Sequence, residues 1–221
     1  MLKLIIGNKA YSSWSLRGWL AVKQSGLPFE EITVPMFDED WNRRREGDEF
    51  APSGGKVPIL WDDKTVIWDS LAIIEWLADK TDRARYWPTE DAARGMARSM
   101  AAEMHSSYQN LRRDYAMNVR KQYTAAELSQ DVHAEIVRIM ELWAQARALH
   151  GKGGPYLFGT FGAVDIMFAP IVTRFVTYSI AVPRFAATYV EAILDHPWMR
   201  EWIDAAQEEP WIIEQYEVPA V

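Results

Sequence analysis

Lys56-Val57-Pro58-Ile59-Leu60-Trp61 and, after a short charged gap, Val66-Ile67-Trp68-Asp69-Ser70-Leu71-Ala72-Ile73 form the stretch from which the fold is read. Residues 57–61 and 66–68 are short apolar runs. Asp62-Asp63-Lys64 between them is a turn signal, so the pair reads as a β-hairpin. Proline cannot donate to a strand ladder, which puts Pro58 at the strand entry. A cis Val57-Pro58 bond fits that tight entry, although only ~5–6% of such bonds in folded proteins are cis. Beyond the hairpin, Leu71, Ile74, Leu77 and Ala78 share one face of a helix over 70–79, with Ser70 as a good cap.

Working outward to the N-terminus, residues 2–6 are apolar, end at Gly7-Asn8 and read as a buried strand. Residues 14–24 place Leu16, Trp19, Leu20 and Val22 at helical spacing and stop at Ser25-Gly26 ahead of Pro28. Residues 29–34 suit a second strand and the charged 38–46 a short surface helix. The order is βαβ then ββα, opening with a right-handed parallel unit.

Toward the C-terminus, residues 81–91, with Pro88 and several charges, suit a linker, and the remainder of the chain is helical. Ala97, Met100, Met104, Tyr108, Leu111 and Tyr115 fall three or four apart along one long helix. Leu128, Val132, Ile136, Ile139, Trp143 and Ala146 mark the next. Residues 163–176 are apolar on nearly every face and predict a helix at the centre of the helical half, kinked at Pro170. Gly162 falls at its cap position, and Asp165 can accept from the orphan amides of its first turn. A last helix over 197–206 turns Trp198, Met199 and Trp202 inward. The chain divides into residues 1–80, an 81–90 linker and an all-α 91–221.

Its 221 residues are 49% hydrophobic and 25% charged, enough for a sizeable core. A formal charge of −7 argues against a general nucleic-acid binder, whose affinity comes from Lys and Arg releasing counterions. Arg43-Arg44-Arg45 is the one dense basic run and reads as a solvated surface segment. Residues 163–176, interrupted by Asp165 and Arg174, fall short of the ~20 apolar residues that span a bilayer. No signal-peptide pattern opens the chain, so the expected location is the cytoplasm. The absence of cysteine excludes disulfides, zinc–thiolate sites and cysteine nucleophiles. His105, His133, His150 and His196 lack metal-ligand spacing and read as surface or cap residues, so no metal is expected.

Two segments carry chemistry. Ser70 can simply cap its helix, or its amide and hydroxyl at the positive helix end can hold a carboxylate while Asp69 faces an ammonium, which suits an α-amino acid head group. In Asn8-Lys9-Ala10-Tyr11-Ser12-Ser13-Trp14-Ser15-Leu16-Arg17, serines at a helix start ordinarily cap. Hydroxyls and amides there also stabilise a thiolate, lowering the pKa of a bound thiol.

Tyr11 to Arg17, Pro52-Ser53-Gly54-Gly55-Lys56-Val57-Pro58-Ile59-Leu60 and Asp69 to Ile73, in this order, resemble a glutathione S-transferase. Phe161-Gly162-Ala163-Val164-Asp165 resembles the capping segment of that family's second domain, so the resemblance runs along the whole chain. The loop is most similar to the serine-type branch, with the zeta and tau classes nearest. The resemblance implies an α/β thioredoxin-like N-terminal domain with a mixed four-stranded sheet, followed by an all-α helical bundle shaping the pocket of a small hydrophobic electrophile. It implies that Ser12 donates to the glutathione sulfur, with Ser13 and then Tyr11 as alternatives. Lys56 would meet the glycine carboxylate, the Val57 backbone the cysteinyl part, and Asp69 and Ser70 the γ-glutamyl end, with a cis Pro58 fixing the geometry. Trp14, Met104, Tyr108 and Arg112 would line the second-substrate pocket, although Met104 and Tyr108 fit a core stripe better. Departures are Asp69 where glutamate is commoner, Gly162 for the usual Ser or Thr, an extra residue at Gly54-Gly55, and Trp14 where zeta members carry cysteine. The last weakens a reading as a glutathione-dependent isomerase of the maleylacetoacetate type. A non-catalytic stress or binding protein of the same fold is the other alternative, and a cytoplasmic homodimer with a detoxifying role is what the family implies.

Overall fold

The computed structural model describes residues 1–124 and 127–217. Strands β1 (Leu2–Ile6), β2 (Phe29–Thr33), β3 (Ile59–Asp62) and β4 (Thr65–Trp68) form one sheet in the order β2-β1-β3-β4. β1 runs parallel to β2, with Leu2 opposite Phe29, and antiparallel to β3, with Leu4 opposite Leu60. β1 is central and covered on both faces, which is why it lacks the polar alternation of a half-solvated strand. Leu4 and Leu60 face helices α1 (Ser13–Ser25) and α3 (Ser70–Lys80), whereas Ile5 and Ile59 join Val34, Trp41 and Phe50 beneath the short α2 (Trp41–Arg45). The βαβ–ββα reading therefore holds, and the Val57-Pro58 bond is cis. Gly18 of α1 lies against that proline: a β-carbon there would sit 2.7 Å from Pro58 Cγ.

The helical half comprises α4 (Asp91–Ser106), α5 (Gln109–Asp114), α6 (Gln130–His150), α7 (Ala163–Thr177), α8 (Arg184–Asp195) and α9 (Pro197–Gln207). α7 is the expected central helix. Of its residues only Val176 is exposed, and the helix is continuous through Pro170. Asp165 receives the Gly162 amide at 2.9 Å and the Leu157 amide at 3.2 Å. Glycine at 162 has a steric cause, since a β-carbon would fall 2.8 Å from the Tyr86 carbonyl oxygen.

The single helix expected through 97–115 is in fact two. Tyr108 takes a left-handed backbone with φ 60. The Asn110 and Leu111 amides of the new first turn are capped by Glu135 from α6 at 3.1 and 2.7 Å. A cap supplied from another helix leaves no local sequence signal, and the apolar spacing resumes at Leu111, hiding the break. α8 is also additional to the sequence reading. The segment read as a linker buries Tyr86 and Trp87, and the Tyr86 hydroxyl donates to Ala21 O at 2.7 Å. It is thus a packed connection rather than a tether. In the basic run, Arg44 donates to Pro35 O at 2.6 Å and pairs with Asp38 at 2.5 Å, while Arg43 pairs with Asp40 at 2.8 Å. Among the described residues no helix is long and apolar enough to cross a membrane, and no cluster of three or more His, Asp or Glu could hold a metal.

Candidate active site

The loop from β1 into α1 is built by its own backbone and clamped from the far end of the chain. Asn8, fully buried, accepts the Tyr11 and Ser12 amides at its carbonyl at 3.3 and 2.9 Å and the Met36 amide at its side chain at 2.8 Å. Ser12 is the N-cap of α1 and accepts the Ser15 amide at 3.3 Å. The Ser12 and Ser15 hydroxyls are hydrogen-bonded at 2.7 Å, and Ser15 Oγ also accepts the Gly7 amide at 2.9 Å. On the outer side, Glu209 accepts the Lys9 and Ala10 amides at 2.6 and 3.0 Å, and Trp202 Nε1 donates to Lys9 O at 3.0 Å.

This loop forms one end of a cleft of about 980 Å³ between sheet and helices. Ser12, Ser13 and Trp14 line it from α1, Lys56, Val57 and Pro58 from the β3 entry, and Asp69 and Ser70 from the start of α3. Among the described residues the Ser13 hydroxyl has no hydrogen-bond partner. The Lys56 turn is held by Ser53, whose hydroxyl accepts the Lys56 amide at 2.9 Å. The cap of α3 is Asp69 rather than Ser70: Asp69 has φ 72 and accepts the Leu71 amide at 2.8 Å. The other Asp69 oxygen is 2.7 Å from His105 Nε2 of α4. Relieved of capping, the Ser70 hydroxyl is fully buried without a partner.

Three side-chain placements bear on the sequence expectations. Met104 and Tyr108 lie in the helical core instead of the cleft wall. The break before α5 turns Tyr108 inward, where its hydroxyl donates to Glu103 at 2.8 Å. Tyr11 does line the cleft, but its hydroxyl is engaged, donating to Glu217 and accepting from Arg120. Burial, and then the Glu217 bond, raise its pKa. His105 is neither a cap nor a free surface residue, since it lines the cleft beside Asp69 and Trp14.

A family model described as the N-terminal domain of glutathione S-transferases matches residues 11–80, and one described as their C-terminal domain matches residues 121–205. Together they cover more than two thirds of the chain. The chain belongs to the glutathione S-transferase family. Among curated relatives, a 61-residue stretch is 36% identical to dichloromethane dehalogenase of Methylorubrum extorquens, spanning 28% of this chain and only 21% of that protein. Glutathione S-transferase GstB of Escherichia coli is 24% identical over 156 residues, 69% of this chain and 74% of that one. Among solved structures, a glutathione transferase homologue from Burkholderia with bound glutathione superposes with a TM-score of 0.68 at 20% identity, covering 94% of this chain and 98% of that one. Maleyl pyruvate isomerase, a bacterial zeta-class member, gives 0.68 at 21% identity, covering 94% and 99%. At such identities the structural likeness speaks for the fold.

The cleft also holds a group of arginines that spacing did not bring together. The guanidinium carbons of Arg17 and Arg112 each lie 4.5 Å from the centroid of the Trp14 ring. Arg17 is fully buried and donates from Nε to Met167 O at 2.8 Å, while Nη1 and Nη2 have no partner. Arg174 of α7, also buried, donates to Tyr115 O and Pro170 O at 2.8 and 2.9 Å and lines the cleft with Arg112. Burial, with the neighbouring Arg174 and Arg112 charges, pulls the Arg17 pKa well below its ordinary value, Asp69 opposing. Burial, then Arg112, lowers Arg174 to about 10.

Proposed function

We propose that the chain is a serine-type glutathione transferase, with the α1–β3–α3 face of the cleft holding glutathione and the helical half holding the electrophile. The division behind this reading is residues 1–80 for glutathione, 81–90 as connection and 91–221 for the second substrate. The observation that carries it is the buried Ser70 hydroxyl without a partner. Leaving such a group unsatisfied costs roughly 1–3 kcal/mol, and at the start of α3 it waits beside orphan amides and the positive helix end for an anion. The γ-glutamyl carboxylate fits that point, and Asp69 faces the adjoining ammonium. Lys56 meets the glycine carboxylate at the far end. The bound glutathione of the Burkholderia homologue supports the same ligand here.

The cysteinyl sulfur then falls at the start of α1. Gly7 N–H already donates to Ser15 Oγ, so Ser15 can turn its own proton to Ser12 Oγ and leave the Ser12 proton to donate to the sulfur. Such a chain polarises each bond in turn. A thiol of pKa ~8.5 is only a few per cent ionised near neutrality. Two units of depression require about 2.7 kcal/mol, within reach of a charge-assisted hydrogen bond and a helix N-terminus. The bonds of the Tyr11 hydroxyl to Glu217 and Arg120 favour a serine over Tyr11 in this role.

Isothermal titration with glutathione tests the reading, and no heat of binding would overturn it. Spectroscopic titration of the bound thiolate then assigns the donor. Ser12→Ala is expected to raise the thiol pKa by about one unit, equivalent to ~1.4 kcal/mol, and a shift in Ser13→Ala instead would move the role to Ser13. Binding without turnover on a panel of electrophiles would make the protein a glutathione-binding module. We also propose a cytoplasmic homodimer, which sedimentation at working concentration checks.

A further inference from the structure

Arg112 and Arg174 line the cleft, and Arg17, buried against Trp14, lies within reach of both their charges, yet none of the three forms an ion pair among the described residues, where many other charged side chains are paired. Among the described residues Asp69 is the one acid lining the cleft, and it is bound to His105 and the Leu71 amide; Glu135, whose charge reaches Arg112, is engaged by the Asn110 and Leu111 amides. Arg113, beside Arg112, is neutralised by Asp114 at 2.5 Å. Arg112 makes only long contacts of 3.4 Å to the His105 and Ser107 carbonyl oxygens. Burying a guanidinium without a direct ion-pair partner is expensive, and leaving two donors of Arg17 unsatisfied behind Trp14 makes it more so. A positive site of this kind, walled by an indole and lined by two planar donor forks, is complementary to a carboxylate.

We propose that the inner wall formed by Trp14, Arg112 and Arg174 receives a carboxylate of the second substrate, so that the preferred electrophile is anionic. This rests on the transferase reading above and names its substrate class. The glutathione carboxylates do not account for these arginines, because Lys56 and the start of α3 already face them from the other domain. In the conjugation the thiolate adds to the electrophilic carbon, forming the C–S bond. With an aryl chloride the C–Cl pair leaves as chloride, and no further reactant is needed.

The test compares 4-chloro-3-nitrobenzoate with its methyl ester, each kcat/KM divided by the uncatalysed rate with free glutathione. The carboxylate is expected to be preferred about tenfold or more, and the preference should shrink as salt is raised. Arg112→Met is expected to reduce the ratio several-fold while glutathione affinity, by titration calorimetry, stays the same. Because Arg174 is buried and variants of it can fail to fold, a binding readout on the unaltered protein stands beside the variant. 3-Nitrobenzoate should bind in the presence of S-methylglutathione and its methyl ester should not. Equal normalised rates for acid and ester, with glutathione bound, overturn the anionic subsite and leave the transferase standing. Failure to bind glutathione overturns the transferase instead, and the nitrobenzoate titration without glutathione still decides the subsite. If Arg112→Met slows acid and ester alike and raises the thiol pKa, the arginines act on the sulfur and the proposal fails.

Discussion

Ser12 and Ser70 stand at the starts of two helices and look alike in sequence, yet the structure treats them oppositely. Ser12 caps α1 through the Ser15 amide. Ser70 loses the equivalent place on α3 to Asp69 and is left with a buried, unpaired hydroxyl. That difference yields an expectation with two arms. Ser70→Ala should weaken glutathione binding by about tenfold or more, the worth of a hydrogen bond to a charged group. It should not lower the melting temperature of the free protein, because no protein contact is lost. A fall in stability with unchanged affinity would show that the hydroxyl is structural. The candidate residues on α1, the β3 entry and α3 were legible because each is local to a strand or helix end. Partners were not: that His105 would meet Asp69, and that Tyr11 would be engaged by Glu217 and Arg120, depends on residues with no periodic relation to those segments.

Helices and strands here follow their local patterns except where another element intervenes. Gly18 of α1 is such a place. Alanine would favour the helix by up to about 1 kcal/mol, but its β-carbon would collide with the rigid Pro58 ring. Gly18→Ala is therefore expected to destabilise by about 1–3 kcal/mol and to weaken glutathione binding as the Lys56 turn shifts. A raised melting temperature would show the contact to be slack. At the start of α7, burial pushes the Asp165 pKa up to about 7, against the Leu157 and Gly162 amides. The folded chain thus holds this proton more tightly than an unfolded chain titrating near 3.8. Its contribution to stability falls as pH rises from about 4 to about 7 and is level above that. The melting temperature of the wild type relative to Asp165→Asn should rise as pH is lowered from 8 to 5, and parallel curves would refute this. The break between α4 and α5 shows the limit of periodicity: Glu135 caps the second helix from across the bundle, and apolar spacing alone reads straight through.

Across the whole molecule, the N-terminal loop depends on the C-terminal end of the chain. Glu209 satisfies the Lys9 and Ala10 amides, and Glu217 receives the Tyr11 hydroxyl. Glu209→Ala leaves two amides without their carboxylate, and the thermal midpoint is expected to fall by several degrees. Loosening the loop should also raise the pKa of bound glutathione thiol although Glu209 does not line the cleft. A stability loss with an unchanged thiol pKa would confine the clamp to a structural role.

By itself the sequence determined the absence of cysteine side-chain chemistry, which composition alone decides, and the βαβ–ββα order, the buried central helix and the identity of the residues at two helix starts, because each of these is written in spacing over a few neighbouring positions. Only the tertiary structure decided that Asp69 caps α3 in place of Ser70, that His105 meets Asp69, and that Arg17, Arg112 and Arg174 come together without a salt-bridge partner. Those outcomes rest on capping, steric and charge contacts between elements far apart along the chain, and energies of that kind leave no periodic trace in the sequence.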